Sequence, residues 1–77
     1  MKIEVLGTGC AGCRALFETT KRAAAELGLE AEVLKEENLE RILACGVLAL
    51  PALVVDGRVV SAGRRLALDE VKRLLAQ

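Results

Sequence analysis

A chain of 77 residues forms one small domain, spanning 1–77, with a modest core. Hydrophobic residues make up 53% of it, yet there is one Phe and no Trp or Tyr, so the core is aliphatic and no aromatic platform exists for stacking bases. Eleven basic residues balance eleven acidic ones and there is no His. That balance argues against an electrostatic nucleic-acid or membrane-surface binder, and the lack of His excludes a His-paired nucleophile or a His metal site.

In chain order, "KIEVL" (2–6) predicts a strand with Ile3 and Val5 on one face. It opens the chain as a strand rather than as the apolar block of a leader. "GTGC" turns the chain. From about Ala11 to Leu27, Cys13, Leu16, Phe17, Thr20, Ala24 and Leu27 recur at helical offsets, with Arg14, Glu18, Lys21, Arg22 and Glu26 opposite. Gly28 is placed to stop this helix. "EAEVLK" (30–35) alternates as a second strand. Residues 38 to 45 predict a short helix with Leu39, Ile42 and Leu43 on one face, ended by Gly46. "PALVV" and "RVVSA" are strand-like runs separated by Asp56-Gly57, a strong hairpin signal. "ALDEVKRLLAQ" closes the chain as a third amphipathic helix carrying Leu68, Val71, Leu74 and Leu75 inward. Asp69 and Glu70 lie in its first turn and Lys72 and Arg73 later, as the helix dipole favours. The longest late apolar run, "ILACGVLALPALVV", is broken by Gly46 and Pro51 and falls short of the ~18–20 residues that span a bilayer. The order β-α-β-α-β-β-α predicts an α/β fold: a parallel pair, an added hairpin, and one four-stranded mixed sheet with helices on both faces.

The chemistry centres on "LGTGCAGCRALF", where Cys10 and Cys13 stand two residues apart. Three uses fit such a pair: a redox disulfide, half of a metal site, or a soft-metal hook. Cys10 falls at or just before a helix N-terminus, where unpaired N–H groups and the positive end of the helix dipole lower a thiol's pKa. Arg14, one turn on, adds to that. Cys13 lies one turn behind and is more sheltered. Thiol–disulfide exchange needs this asymmetry, because one sulfur attacks a substrate disulfide and the other resolves the mixed disulfide. A closed zinc site needs about four ligands, more than three cysteines supply in one chain. Cys45, far from the motif, reads as a packing residue, since free Cys often behaves as a small hydrophobe.

A Cys-x-x-Cys after the first strand, in this element order, resembles a minimal thioredoxin/glutaredoxin fold. It is closer still to the very small thioredoxin-like "redox-active disulfide" proteins of archaea and bacteria. The matching pieces are "GTGCAGC", "GVLALPALVVDG" and "VVSAG", and the likeness covers nearly the whole chain. It implies a thiol–disulfide oxidoreductase with Cys10 as nucleophile and Cys13 as resolving thiol. It also implies a cis-proline at Pro51 beside the cysteines, with the backbone of Leu50 free to pair with an extended substrate under an apolar rim of Leu48, Ala49 and Leu50. The chain departs from thioredoxins in lacking their Trp and the Pro between the cysteines. It also lacks the Tyr and Pro common in glutaredoxins, and "LPAL" and "SAGRRLALDE" only partly match a glutathione site, which leaves glutathione open as reductant. The rival is a copper-type chaperone, whose Gly-Met-x-Cys-Ala-x-Cys loop is close to "GTGCAGC" and uses two thiolates for a soft cation. Thr8 replaces its Met, and such domains run β-α-β-β-α-β. A redox sensor or adaptor on the same fold is a further alternative. The expected partners are a protein disulfide and an upstream reductase or dithiol, with no cofactor, no nucleic acid and no membrane, acting as a monomer in the cytoplasm, where close cysteine pairs are seldom structural.

Overall fold

The computed structural model describes residues 1–9 and 11–76. Its elements are β1 (Lys2–Leu6), α1 (Ala11–Glu26), β2 (Glu32–Glu36), α2 (Leu39–Ala44), β3 (Ala52–Val55), β4 (Arg58–Ala62) and α3 (Leu68–Leu75). The sheet order is β2-β1-β3-β4, with β1 and β2 parallel and the remaining pairs antiparallel. This is the expected β-α-β-α-β-β-α order. It ends on a helix, unlike the copper-chaperone order.

Alternation along β1 splits the core in two. Ile3 and Val5 face one side, where Leu53 of β3 joins Leu16, Ala23 and Ala24 of α1 and Val71 and Leu75 of α3. Leu6 faces the other side with Ala52, Val54, Val47 and Ile42 of α2. Helices therefore cover both faces, α1 and α3 one and α2 the other.

Buried Thr20 fits the apolar face of α1 because its hydroxyl donates to the Leu16 carbonyl at 2.7 Å, a bond available within the helix itself. Phe17 is half-buried, with the Lys21 and Lys35 ammonium groups 5.2 and 5.0 Å from its ring centre. Past the end of α1, Leu27 is exposed, and Leu29 donates to the Ala24 carbonyl at 3.0 Å. The second strand begins later than its alternation predicts, at Glu32. Pairing starts where β1 offers a partner, with Lys2 opposite Glu32.

The hairpin between β3 and β4 closes on Asp56 and Gly57, with Val55 opposite Arg58. Their φ values of 49° and 82° are both positive, as the two-residue turn matching strand twist requires. Asp56 also ties the hairpin tip to β1. Its N–H donates to the Lys2 carbonyl, and its carboxylate accepts from the Lys2 N–H, both at 2.8 Å.

The short helix α2 corrects one expectation. Asn38 caps it, accepting from the N–H groups of Glu40 and Arg41 at 2.9 and 3.3 Å. Of its three apolar positions only Ile42 is buried, while Leu39 and Leu43 are 57% and 61% exposed. A helix of six residues turns fewer than two times. It plants one side chain on the sheet and leaves the flanking leucines outside.

The ends of α1 and α3 are joined by Glu26, which accepts from Lys72 at 2.6 Å and from Arg22 at 2.7 Å. The Lys72 bond, and then the Arg22 bond, hold its carboxyl below the ordinary value of 4.5. Unfolding breaks both, so the folded chain binds this proton less tightly. The stabilisation is complete above about pH 4.5 and disappears as pH falls through the lower, folded value. Glu26→Gln should therefore flatten the acid limb of a stability-versus-pH curve from urea titrations and lower stability near neutrality. An unchanged acid limb would show that the bridge contributes nothing in solution. No helix among the described residues is long and apolar enough to cross a membrane.

Candidate active site

The loop from β1 to α1 carries the motif. Gly7 continues the ladder past β1, donating to the Glu36 carbonyl at 2.9 Å. Thr8 and Gly9 are exposed, and Gly9 takes a φ of 84°. The Glu37 carboxylate stands over this turn, with its Oε2 only 3.3 Å from where a Cβ on Gly9 would sit. Cys10, expected as the nucleophile, lies outside the described residues. Helix α1 opens at the next residue, Ala11.

Cys13 occupies the first turn of α1 and is 2% exposed. Its sulfur is in a disulfide. Gly7 forms the wall behind it. A Cβ on Gly7 would lie 2.6 Å from the Cys13 Cβ and closer still to Sγ, so only glycine lets the strand end and the helix meet at this distance. Nothing in the sequence marks Gly7 out except its place one residue beyond a strand.

Pro51 belongs to the same site. The Leu50–Pro51 peptide bond is cis. Pro51 lines one groove with Gly12, Ala15, Leu16 and Thr19 of α1 and with residues 63–66 beyond β4. The proline is therefore beside the first turn of the motif helix. Gly63 fixes it there, donating its N–H to the Pro51 carbonyl at 2.8 Å. Gly63 also packs so closely that a Cβ would fall 2.6 Å from that of Ala49. Segment 63–66 is some fifty residues from the motif in sequence, and only the hairpin brings it here.

The neighbouring backbone of Leu50 makes no hydrogen bond with another described residue. Leu48 is fully exposed, Ala49 is exposed and Leu50 is half-buried, which forms the expected apolar rim. Arg14 is exposed on α1 and forms no ion pair or hydrogen bond among the described residues.

Cys45 is not a packing residue. It is an exposed free thiol at the C-terminal cap of α2, where its backbone N–H donates to the Arg41 and Ile42 carbonyls at 3.2 Å. Cys45 lines an open cavity with Arg41 and Ala44 of α2 and with Glu4 of β1 and Glu36 of β2, so the thiol stands over the sheet edge without being packed against it.

The thioredoxin-domain family model matches residues 1–76. A thioredoxin of Methanothermobacter thermautotrophicus is 42% identical over 76 residues, covering 99% of each chain. A thioredoxin of Methanocaldococcus jannaschii is 34% identical over 73 residues, covering 95% of this chain and 84% of the relative. The fold also matches that of thioredoxin 1 from the thermophilic eubacterium Thermosipho africanus. The TM-score is 0.61 at 20% identity, over 99% of this chain and 96% of that one. With its sheet order, its buried motif-helix cysteine and its Pro51 groove, this chain belongs to the thioredoxin family of thiol–disulfide oxidoreductases.

Proposed function

We propose that Cys10 and Cys13 are the redox couple and that the chain reduces protein disulfides. The supporting observation is the contrast among the thiols. Cys13 is buried and disulfide-bonded, whereas Cys45 is free. In the reductive direction the Cys10 thiolate attacks one sulfur of the client disulfide, and the departing client thiolate takes a proton. Cys13 then attacks Cys10 in the mixed disulfide, and the second client thiol leaves. Two electrons and two protons pass to the client, and the couple is left as a disulfide. An upstream dithiol reductase restores it.

The positive end of α1 favours the Cys10 thiolate, and Arg14, with its guanidinium unengaged by described residues, reinforces it. An extended client segment pairs with the Leu50 backbone beside Pro51, as an added strand would. Its apolar side chains meet Leu48 and Ala49. An exposed free thiol at Cys45 suits a reducing compartment, and we assign the protein to the cytoplasm.

Dithiol-driven turnover of a protein disulfide tests this reading. Wild type should turn over and Cys10→Ser should fall to background. Cys45→Ser should stay within about twofold, as for other exposed substitutions away from a site. Turnover that survives Cys10→Ser, or that depends on Cys45, would displace the proposed couple.

A further inference from the structure

The groove beside Pro51 is not electrically neutral, although the chain is. Its charged lining residues are Arg64 and Arg65, and no carboxylate lines it. It adjoins a second groove through shared Arg64 and Leu66, and that one adds Arg73, Leu74 and Glu70. Three arginines thus face one glutamate in a molecule with formal net charge +0.

The one glutamate is already committed. Glu70 Oε2 accepts from Arg64 at 3.0 Å, and Oε1 accepts from the Ala67 N–H at 3.2 Å at the start of α3. Arg64 and Glu70 therefore offset each other and brace segment 64–67. Arg65 and Arg73 are exposed and form no ion pair or hydrogen bond among the described residues. Two free guanidinium groups remain along a continuous apolar path that starts at Pro51 and passes Leu66 and Leu74.

From this we infer that the groove selects clients whose disulfide is flanked by acidic residues, with their carboxylates on Arg65 and Arg73. The inference rests on the thiol–disulfide reading above and adds the class of client. A guanidinium offers a carboxylate paired, charge-assisted hydrogen bonds, and a patch of one sign speeds encounter with the opposite sign. Both effects weaken as salt screens exposed charges.

The test uses three disulfide-bonded peptides of equal length, with flanks of Asp/Glu, of Ser/Gln and of Lys. They are joined by glutathione disulfide, a small carboxylate-bearing source, and by a small uncharged disulfide. kcat/KM is measured at low and high ionic strength. The acidic peptide should lead the neutral one by about tenfold at low salt and the basic one by more, with the gap closing at high salt. In the double variant Arg65→Glu, Arg73→Glu the order of acidic and basic peptides should invert.

Equal rates for the three peptides would overturn the inference, as would a preference that survives the double variant. Glutathione disulfide outrunning the acidic peptide would overturn the assignment to protein clients. Failure of wild type to reduce even the uncharged disulfide would count against the underlying redox reading instead. Both arginines are exposed, and a circular dichroism melt confirms that the variant is folded.

Discussion

Removing the Cys13 thiol should convert the protein from a catalyst into a trap. In Cys13→Ser or Cys13→Ala, Cys10 still attacks a client disulfide, but the resulting mixed disulfide has no internal thiol to break it. Release then waits for an external dithiol. Well-placed intramolecular reactions have effective molarities of about 10⁵–10⁸ M, so turnover should fall by about 100-fold or more even with abundant reductant. Two variants guard against a folding artefact. Cys13 is 2% exposed, and a buried hydroxyl without a partner costs about 1–3 kcal/mol, whereas alanine adds no polar group. Client adducts should be isolable from both, and reductant should release them. Cys10→Ser should trap little, because the remaining motif thiol, Cys13, is recessed and Cys45 stands apart from the motif. Equal trapping by the two single variants would overturn the division of labour between the cysteines.

The second large effect is a contrast between two glycines near the motif, Gly7 before the cysteines and Gly12 between them. At Gly7 a Cβ would press on the Cys13 Cβ at 2.6 Å and on Sγ more closely still. Gly7 is buried, flanked by the ladder on one side and the motif helix on the other, so nothing flexible can yield. Gly7→Ala should cost about 1–3 kcal/mol, the usual range for overpacking. It should also push Cys13 out of its recess, so that after reduction the Cys13 thiol alkylates faster than in wild type. At Gly12 a Cβ would meet nothing within 4 Å, and the residue lies inside α1. Gly12→Ala should therefore stabilise the fold by about 0.5–1 kcal/mol through backbone entropy. For a domain of this size each kcal/mol moves the midpoint by about 4–8 °C, so melting of the oxidised proteins separates the two. Midpoints moving the same way would show that Gly7 and Cys13 are not packed as described.

The parts of this fold with local signals were readable directly. Ile3 and Val5 alternate because their side of β1 packs under α1 and α3, and Asp56-Gly57 supplies the two positive φ values of a tight hairpin. The cysteine pair was legible as candidate chemistry from its spacing and its place before a helix, and the cis bond at Pro51 from the family resemblance. What depends on tertiary contact was not. The periodicity of Leu39, Ile42 and Leu43 reads as a buried face, but only one of them reaches the sheet. Cys45 reads as filler because a free cysteine often behaves as a small hydrophobe, and it is exposed instead. Gly7 takes its role from the close approach of the strand end to Cys13, six residues on, and segment 63–66 from the hairpin that brings it to Pro51 and to a motif helix some fifty residues earlier. Neither approach shows in the hydrophobic periodicity of the chain.

The most direct test of the central claim is the redox equilibrium of the Cys10–Cys13 couple. Purified protein is equilibrated across a series of reduced-to-oxidised dithiol buffers, quenched with acid and alkylated, and the state of each cysteine is read by peptide mass spectrometry. Metal content is assayed on the same sample. One two-electron transition is expected, in which Cys10 and Cys13 change together while Cys45 stays alkylatable throughout, in protein without stoichiometric metal. Stoichiometric soft metal with no reversible transition at Cys10 and Cys13 would contradict it and favour metal carriage by the same two sulfurs.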